Sequence, residues 1–185
     1  MIEGHDPRPL FARVLGDDWD RLPDVLRAAH NVDSSLHLTG CADIQRNGNP
    51  VIDRIGTWSG LPPAGRNVPL TITMQRDGDG EIWTRHFGDH VFCSRIRAGK
   101  VPRTTWEKAG PIEVEMSFAL KGDEIHQTSR RNRILAFPLP GKLAPASRVV
   151  ESVIDGRYHF DVVVQAPLGL GLLVAYQGWL VPDEV

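Results

Sequence analysis

The chain has 185 residues, with 21 basic and 23 acidic side chains and a formal net charge of -2. This length favours a single domain, residues 1–185, with a full hydrophobic core. The charge balance argues against nucleic acid or an anionic membrane surface as the main partner, because both call for a basic patch. The two cysteines, Cys41 and Cys93, form no CxxC pair, so neither a zinc site nor a redox motif is predicted.

The ends and the apolar stretches of the chain indicate a cytoplasmic protein. Residues 1–10 lack the basic start and apolar run of a signal peptide. The longest apolar stretch, at about 167–176, is interrupted by glycine and proline and is too short to span a bilayer. We therefore expect neither a membrane nor nucleic acid as a partner.

Helical patterns are confined to the N-terminal segment, residues 1–33. Apolar residues recur at helical spacing within 11–15, and Gly16 then breaks the pattern. A second helix is predicted from about Pro23 to His30, because proline suits the first helical turn and apolar side chains recur on one face.

From Leu36 onward, short alternating segments are separated by Gly, Asp, Asn and Pro. We count about ten candidate strands, a pattern typical of a barrel or a strongly curved sheet. The predicted fold class is α+β and mostly antiparallel β. It comprises a curved sheet or β-barrel of about ten strands over residues 34–182, with one or two N-terminal helices.

Two turn signals, at 77–80 and 88–89, place the strand containing Trp83 and Arg85 between two neighbours. The first turn would pair Met74 with Trp83. Because side chains alternate between the faces of a strand, both registers put Trp83 and Arg85 on one inward face.

The turn Asp155-Gly156 is the strongest hairpin signal in the chain. It would pair Val153 with Tyr158 and Glu151 with Phe160. That face is apolar apart from Glu151, which is therefore predicted to point inward.

A third hairpin, at Gly122-Asp123, indicates one wall of an amphipathic cavity. It would place Glu115 opposite Arg130. One of its strands carries an apolar stripe, and the partner strand would present polar residues to that stripe, including Arg131 as a ligand contact.

Arg85 and Glu151 are the candidate functional pair. Glu81 lies roughly 13 Å from Arg85 along the strand, so Glu151 is the expected partner of Arg85. In a shared lumen, Arg85 would hold an anionic or carbonyl group and Glu151 would act as a general acid or base. The other predicted ligand contacts are Trp83, Tyr158, Met74 and Arg131. The alternative is a buried ion pair that only fixes the positions of the strands.

No further chemistry is signalled. His37 and Asp43 share a strand face, but no second pair at metal-ligand spacing accompanies them. No nucleophile motif appears, and His86 and His159 are predicted on outer or rim positions. We expect neither a metal nor a cofactor.

Several motifs together resemble the DUF4166 family, whose function is unknown. These are Leu15-Gly16 with Trp19 and Leu22-Pro23, Gly60–Gly65, Glu81-x-Trp83-x-Arg85-x-Phe87, Phe137–Pro140, Asp155-Gly156-Arg157, Phe160-Asp161-Val162 and Tyr176-x-Gly178-Trp179-Leu180. The resemblance covers nearly the whole chain, and the stretch from Gln127 to Ile134 departs from it by being Arg-rich. It implies a domain found alone or joined to a dehydrogenase-like partner.

Three functions follow as hypotheses. The first is a small-molecule-binding barrel for an apolar ligand with a polar or anionic group, anchored at Arg85. The second is a cofactor-independent isomerase or cyclase acting on a hydrophobic metabolite, with Glu151 as proton shuttle and Arg85 as electrostatic stabiliser. The third is an accessory domain that docks on a dehydrogenase-like protein partner.

Overall fold

The computed structural model describes residues 6–183. Within them, ten antiparallel strands form a closed barrel, and a short eleventh strand pairs with its wall. The strands are β1 (Ser35–Arg46), β2 (Gly65–Asp77), β3 (Gly80–Phe87), β4 (His90–Ala98), β5 (Thr104–Ala109), β6 (Ile112–Lys121), β7 (Glu124–Ile134), β8 (Phe137–Pro138), β9 (Ala146–Ile154), β10 (Arg157–Gln165) and β11 (Leu172–Pro182).

Neighbouring strands in the barrel mostly follow chain order. The wall runs from β1 through β7, continues through β9, β10 and β11, and closes where β11 pairs with β1. Strand β8 pairs with β7 alone. The predicted fold class is confirmed, and of the two predicted forms it is the barrel.

Short helices cover one end of the barrel, which we call the floor. They are α1 (Leu10–Leu15), a 3₁₀ helix (Gly16–Arg21) and α2 (Asp24–His30). Helix α1 ends where Gly16 takes a positive φ of 58°, and Pro23 directly precedes α2. The side chains of Phe11 and Leu26 are buried in the same apolar core as the barrel interior. Both helices predicted from the sequence are present.

A third helix, α3 (Pro50–Trp58), lies in the connection between β1 and β2 and was not predicted from the sequence. It begins because the Asn49 side chain accepts a hydrogen bond from the backbone N–H of Val51 at 2.9 Å, with proline at the first turn. Since β1 starts at the floor, α3 lies at the opposite end, which we call the mouth.

The predicted hairpin registers are largely correct. Trp83 pairs with Met74, Tyr158 pairs with Val153, and Glu151 pairs with Phe160. The turn Asp155-Gly156 has positive φ at both residues, which is the backbone that a two-residue turn of this kind requires.

The predicted pairing of Glu115 with Arg130 is wrong. A β-bulge between Glu115 and Met116 shifts the register by one residue, so Glu115 lies opposite Arg131. Because a one-residue shift exchanges the two faces of a strand, the bulge changes which side chains of β7 enter the lumen.

The seam between β1 and β11 is unusually close. A Cβ atom added at Gly40 would lie 1.9 Å from the carbonyl oxygen of Trp179, so only glycine fits there. No helix within residues 6–183 has both the length and the apolar character needed to cross a membrane.

Candidate functional site

The barrel encloses a cavity of about 220 Å³, many times the about 10–15 Å³ that one water molecule requires. Its lining reaches from Phe11 and Trp83 near the floor to Leu61, Pro145 and Leu173 near the mouth. Aliphatic and aromatic side chains supply most of that lining, because the alternate residues of each strand face inward. The charged side chains that line it, Arg85, Glu107 and Glu151, fall into two clusters.

The first cluster, which we call the floor cluster, surrounds the carboxylate of Glu151. His30 Nε2 lies 2.7 Å from Glu151 Oε2, and the Gln127 amide donates to Glu151 Oε1 at 2.7 Å. His30 Nδ1 has no hydrogen-bond partner among residues 6–183, so the polar contact of the ring is made through Nε2. The carboxylate is thus held in place by donors from α2 and β7.

Tyr158 completes the floor cluster. Its pKa is raised well above the ordinary value of 10.0, first by burial and then by the negative charge of Glu151 and a hydrogen bond to it. Tyr158 therefore remains a neutral hydroxyl at physiological pH. Its ring packs edge-on against His30, with 5.9 Å between the ring centroids.

The second cluster, which we call the wall cluster, is built around Arg85. Its Nη1 donates to Ser94 Oγ at 2.8 Å and its Nη2 donates to Glu107 Oε1 at 3.1 Å. Ser94 Oγ also donates to Glu107 Oε1 at 2.6 Å. The guanidinium lies 4.9 Å from the ring centroid of Trp83, which adds a cation–π contact.

Tyr176 lies in the lumen beside the wall cluster. Its ring packs edge-on against Phe87 at 5.4 Å between centroids. Burial raises the pKa of Tyr176 to about 12, although the positive charge of Arg85 partly opposes this shift. Both tyrosines of the chain, Tyr158 and Tyr176, thus line the cavity as neutral hydroxyls.

Glu81 forms a separate buried contact. It is 1% exposed, and its Oε2 accepts a hydrogen bond from Trp83 Nε1 at 2.7 Å. Burial raises the pKa of Glu81 above its ordinary value, and the hydrogen bond from Trp83 partly lowers it. Glu81 is not among the residues that line the cavity, so its role is to fix the Trp83 ring.

Four of the predicted site residues line the cavity: Trp83, Arg85, Glu151 and Tyr158. The predicted pairing of Arg85 with Glu151 is wrong, because each side chain belongs to a different cluster. Arg85 instead contacts Glu107, and Glu151 contacts His30, because a buried charge is costly without a partner.

Met74 and Arg131 do not line the cavity. Met74 is buried in the core, where it is 1% exposed. Arg131 is displaced by the bulge and pairs with Glu115, with 3.1 Å between Arg131 Nε and Glu115 Oε2. The β7 residue that lines the cavity is instead Gln127.

Five residues of the site were not predicted from the sequence: His30, Gln127, Glu107, Ser94 and Tyr176. The signals for two of them were present: His30 follows Leu26 by four residues on the apolar face of α2, and Ser94 lies opposite Trp83. Nothing in the local sequence indicated that Glu107 would reach Arg85. No group of three potential metal ligands occurs within residues 6–183.

Comparison with known proteins identifies one family. A family model described as "Domain of unknown function (DUF4166)" matches residues 22–180. No curated protein and no solved structure matches the chain.

Proposed function

Because the chain belongs to the DUF4166 family, whose description gives no activity, we propose a function from the barrel itself: it binds a small apolar molecule that carries a polar or anionic group. The observation that carries this proposal is the apolar cavity with its two polar clusters. Ligand sites in proteins commonly combine an apolar lining with a few fixed polar groups.

Arg85 is the anchor that we propose for the polar group. A guanidinium has five N–H donors, and the contacts to Ser94 and Glu107 use two of them. Those two contacts hold the guanidinium in one orientation against the cavity wall, which reduces the entropy lost when a ligand binds. The apolar part of the ligand would contact residues such as Trp83, Phe160 and Val162.

Binding of anilinonaphthalene sulfonate, an apolar molecule with one anionic group, tests this proposal. Arg85→Met should weaken binding at least about tenfold, as expected for the loss of one charge-assisted contact. Arg95→Met is the matched control, because Arg95 lies on the neighbouring strand β4 and pairs with Asp77. Val162→Trp should reduce binding by filling the lumen.

The proposal would be overturned if the dye bound equally well to the wild type, Arg85→Met and Val162→Trp. Circular dichroism must show that both variants are folded. Native mass spectrometry of protein purified from its own host adds an independent measurement. A reproducible extra mass that is retained by Arg95→Met and lost from Arg85→Met would support the proposed anchor and identify the ligand.

A second candidate function is supported by the floor cluster. We propose as the alternative that Glu151 transfers a proton on the bound molecule in an isomerisation or cyclisation. Glu151 lines the cavity, and His30, 2.7 Å away, holds its carboxylate in position. Arg85 would stabilise negative charge that develops on the ligand.

Isomerisation and cyclisation conserve mass, so extraction of the bound molecule separates the two functions. If Glu151 is catalytic, the wild type and Glu151→Gln should yield compounds of equal mass but different chromatographic mobility. An identical compound from both proteins would contradict the enzymatic function and leave the binding function in place.

A further inference from the structure

Exposed apolar side chains are concentrated at the mouth of the barrel. Ten large apolar residues are strongly exposed, and eight of them lie in the three long loops at this end. We call these the mouth loops: residues 47–64, 135–145 and 166–171. The eight residues are Val51, Ile55, Trp58, Leu135, Phe137, Leu143, Leu168 and Leu170.

The mouth loops meet around the entrance to the cavity. The Asn47 side chain donates to the carbonyl of Leu170 at 3.3 Å, which joins the first loop to the third. The second and third loops touch through two short 3₁₀ helices, Gly141–Leu143 and Pro167–Gly169. Leu61 and Pro145, which also belong to the mouth loops, line the cavity. The loops that carry the exposed apolar residues therefore also border the lumen.

Charge is nearly absent from the mouth loops. Their 35 residues include only three charged ones, Asp53, Arg54 and Lys142. Asp53 pairs with the buried Arg46 at 3.0 Å, so the two exposed charges left over are cations.

The turns at the floor end have the opposite composition. Five of their eleven residues are charged, over the turns 78–79, 99–103, 122–123 and 155–156. The mouth loops are thus apolar and weakly cationic, whereas the turns at the floor end are polar. Such an exposed apolar surface at one place on a protein marks a site of interaction.

We propose that the mouth loops dock on the surface of a lipid bilayer that contains anionic lipids. Their apolar side chains would enter the interfacial region, with Trp58 at headgroup depth and Arg54 and Lys142 near the anionic headgroups. This contact is peripheral, and in it no segment of the chain crosses the bilayer. It departs from the sequence-based expectation of no membrane partner, which rested on net charge and on the lack of a long apolar stretch, and not on where the fold gathers exposed apolar residues.

A bilayer suits this surface better than a protein partner does. A protein seated on the mouth loops would cover the entrance to the lumen, whereas a bilayer would leave the lumen open to an apolar phase. Apolar molecules of the class proposed for the lumen partition into bilayers. The bilayer would thus be the source of the ligand. This inference rests on the proposed function, because docking serves the barrel only if the lumen binds such a molecule.

Flotation with vesicles of phosphatidylcholine containing one-fifth phosphatidylserine tests the docking. The wild type should bind, and a triple variant with one change in each loop, Trp58→Ser, Phe137→Ser and Leu170→Ser, should bind at least about tenfold more weakly. The matched control is Ile154→Ser. Ile154 is an exposed large apolar residue at the floor end of the barrel, and its loss should leave binding unchanged.

Fluorescence gives the depth of Trp58. Lipids brominated near the headgroup should quench the emission of the bound wild type. Trp58→Phe should remove most of that quenching while it retains vesicle binding, because phenylalanine keeps an apolar ring at the same place.

Three results would overturn the docking proposal. The first is no vesicle binding by the wild type, and the second is equal loss of binding in the triple variant and the control. The third is self-association of the wild type that the triple variant abolishes, without vesicle binding, since a second copy would then cover the mouth.

The tests of docking and of ligand binding fail separately. Val162→Trp should still bind vesicles, and the triple variant should still bind anilinonaphthalene sulfonate in the absence of lipid. Loss of vesicle binding with intact dye binding would overturn the docking alone. If the protein binds vesicles but Arg85→Met binds the dye as well as the wild type does, the proposed ligand site in the lumen alone would be overturned.

Discussion

His30 Nε2 lies 2.7 Å from Glu151 Oε2, and this contact joins two elements that are 121 residues apart in the chain. His30 is the last residue of α2, and Glu151 lies in β9. Both side chains are almost fully buried, and the His30 ring also stacks on Phe11 of α1 at 4.1 Å between centroids. The floor helices are therefore fastened to the barrel by a polar contact inside an apolar core.

Breaking this contact should destabilise the protein. We expect Glu151→Ala to lower the free energy of unfolding by about 3–5 kcal/mol, because it leaves buried donors without an acceptor. Glu151→Gln retains an acceptor for Gln127 and should cost about 1–3 kcal/mol. Denaturant unfolding of Glu151→Ala, His30→Ala and the double variant should give a coupling energy of about 0.5–3 kcal/mol. Strict additivity would contradict a direct contact.

The two buried tyrosines should ionise at a higher pH than tyrosines in water do. The pKa of Tyr176 is raised to about 12 and that of Tyr158 well above 10.0, in both cases mainly by burial. The folded protein should therefore show little tyrosinate absorbance at about pH 10.5, while the unfolded chain titrates near the ordinary value. Because the folded pKa values are raised, this contribution to stability is present below about pH 10 and is lost as pH rises through them. Half-ionisation of the folded protein near pH 10 would contradict enclosure of the tyrosines in the lumen.

The buried carboxyl group of Glu81 should make the free energy of unfolding depend on pH in a second range. Burial raises its pKa above the ordinary 4.5, so its contribution to stability is largest below about pH 4.5 and falls as pH rises through the raised value. Glu81→Gln removes this dependence while it keeps an acceptor for Trp83. Urea unfolding from about pH 4 to about pH 7 should show the stability difference moving in favour of the variant as pH rises. A constant difference would show that Glu81 has the same pKa in both states.

The close contact at Gly40 should exclude any larger side chain from this position between β1 and β11. Gly40→Ala should cost about 1–3 kcal/mol or more, because its Cβ would lie 1.9 Å from the carbonyl oxygen of Trp179. Gly48→Ala is the matched control: nothing lies within 4 Å of its added Cβ, and its φ is not positive. Its effect on thermal or denaturant unfolding should stay within about 1 kcal/mol. Equal effects of the two changes would mean that the strands can separate at little cost.

The sequence was sufficient for features decided by neighbouring residues. The turns at 77–80, 88–89 and 155–156 set the pairing of the strands they connect, because a tight turn leaves only one register. Alternation along each strand then places Trp83 and Glu151 on the inward face, and both line the cavity. Helices α1 and α2 were equally predictable from their apolar spacing.

What the sequence by itself determined is thus the mostly antiparallel β class, the pairing at the tight turns and the inward faces of the strands beside them, since these depend on turn chemistry and period. Tertiary structure alone decided which inward charges meet: closure of the barrel brings Glu107 to Arg85 and His30 to Glu151. It also decided that Arg131 leaves the lumen, because one bulged residue reverses the faces of a strand. The gathering of the mouth loops at one end has the same origin, since antiparallel closure brings together segments that are far apart in the chain.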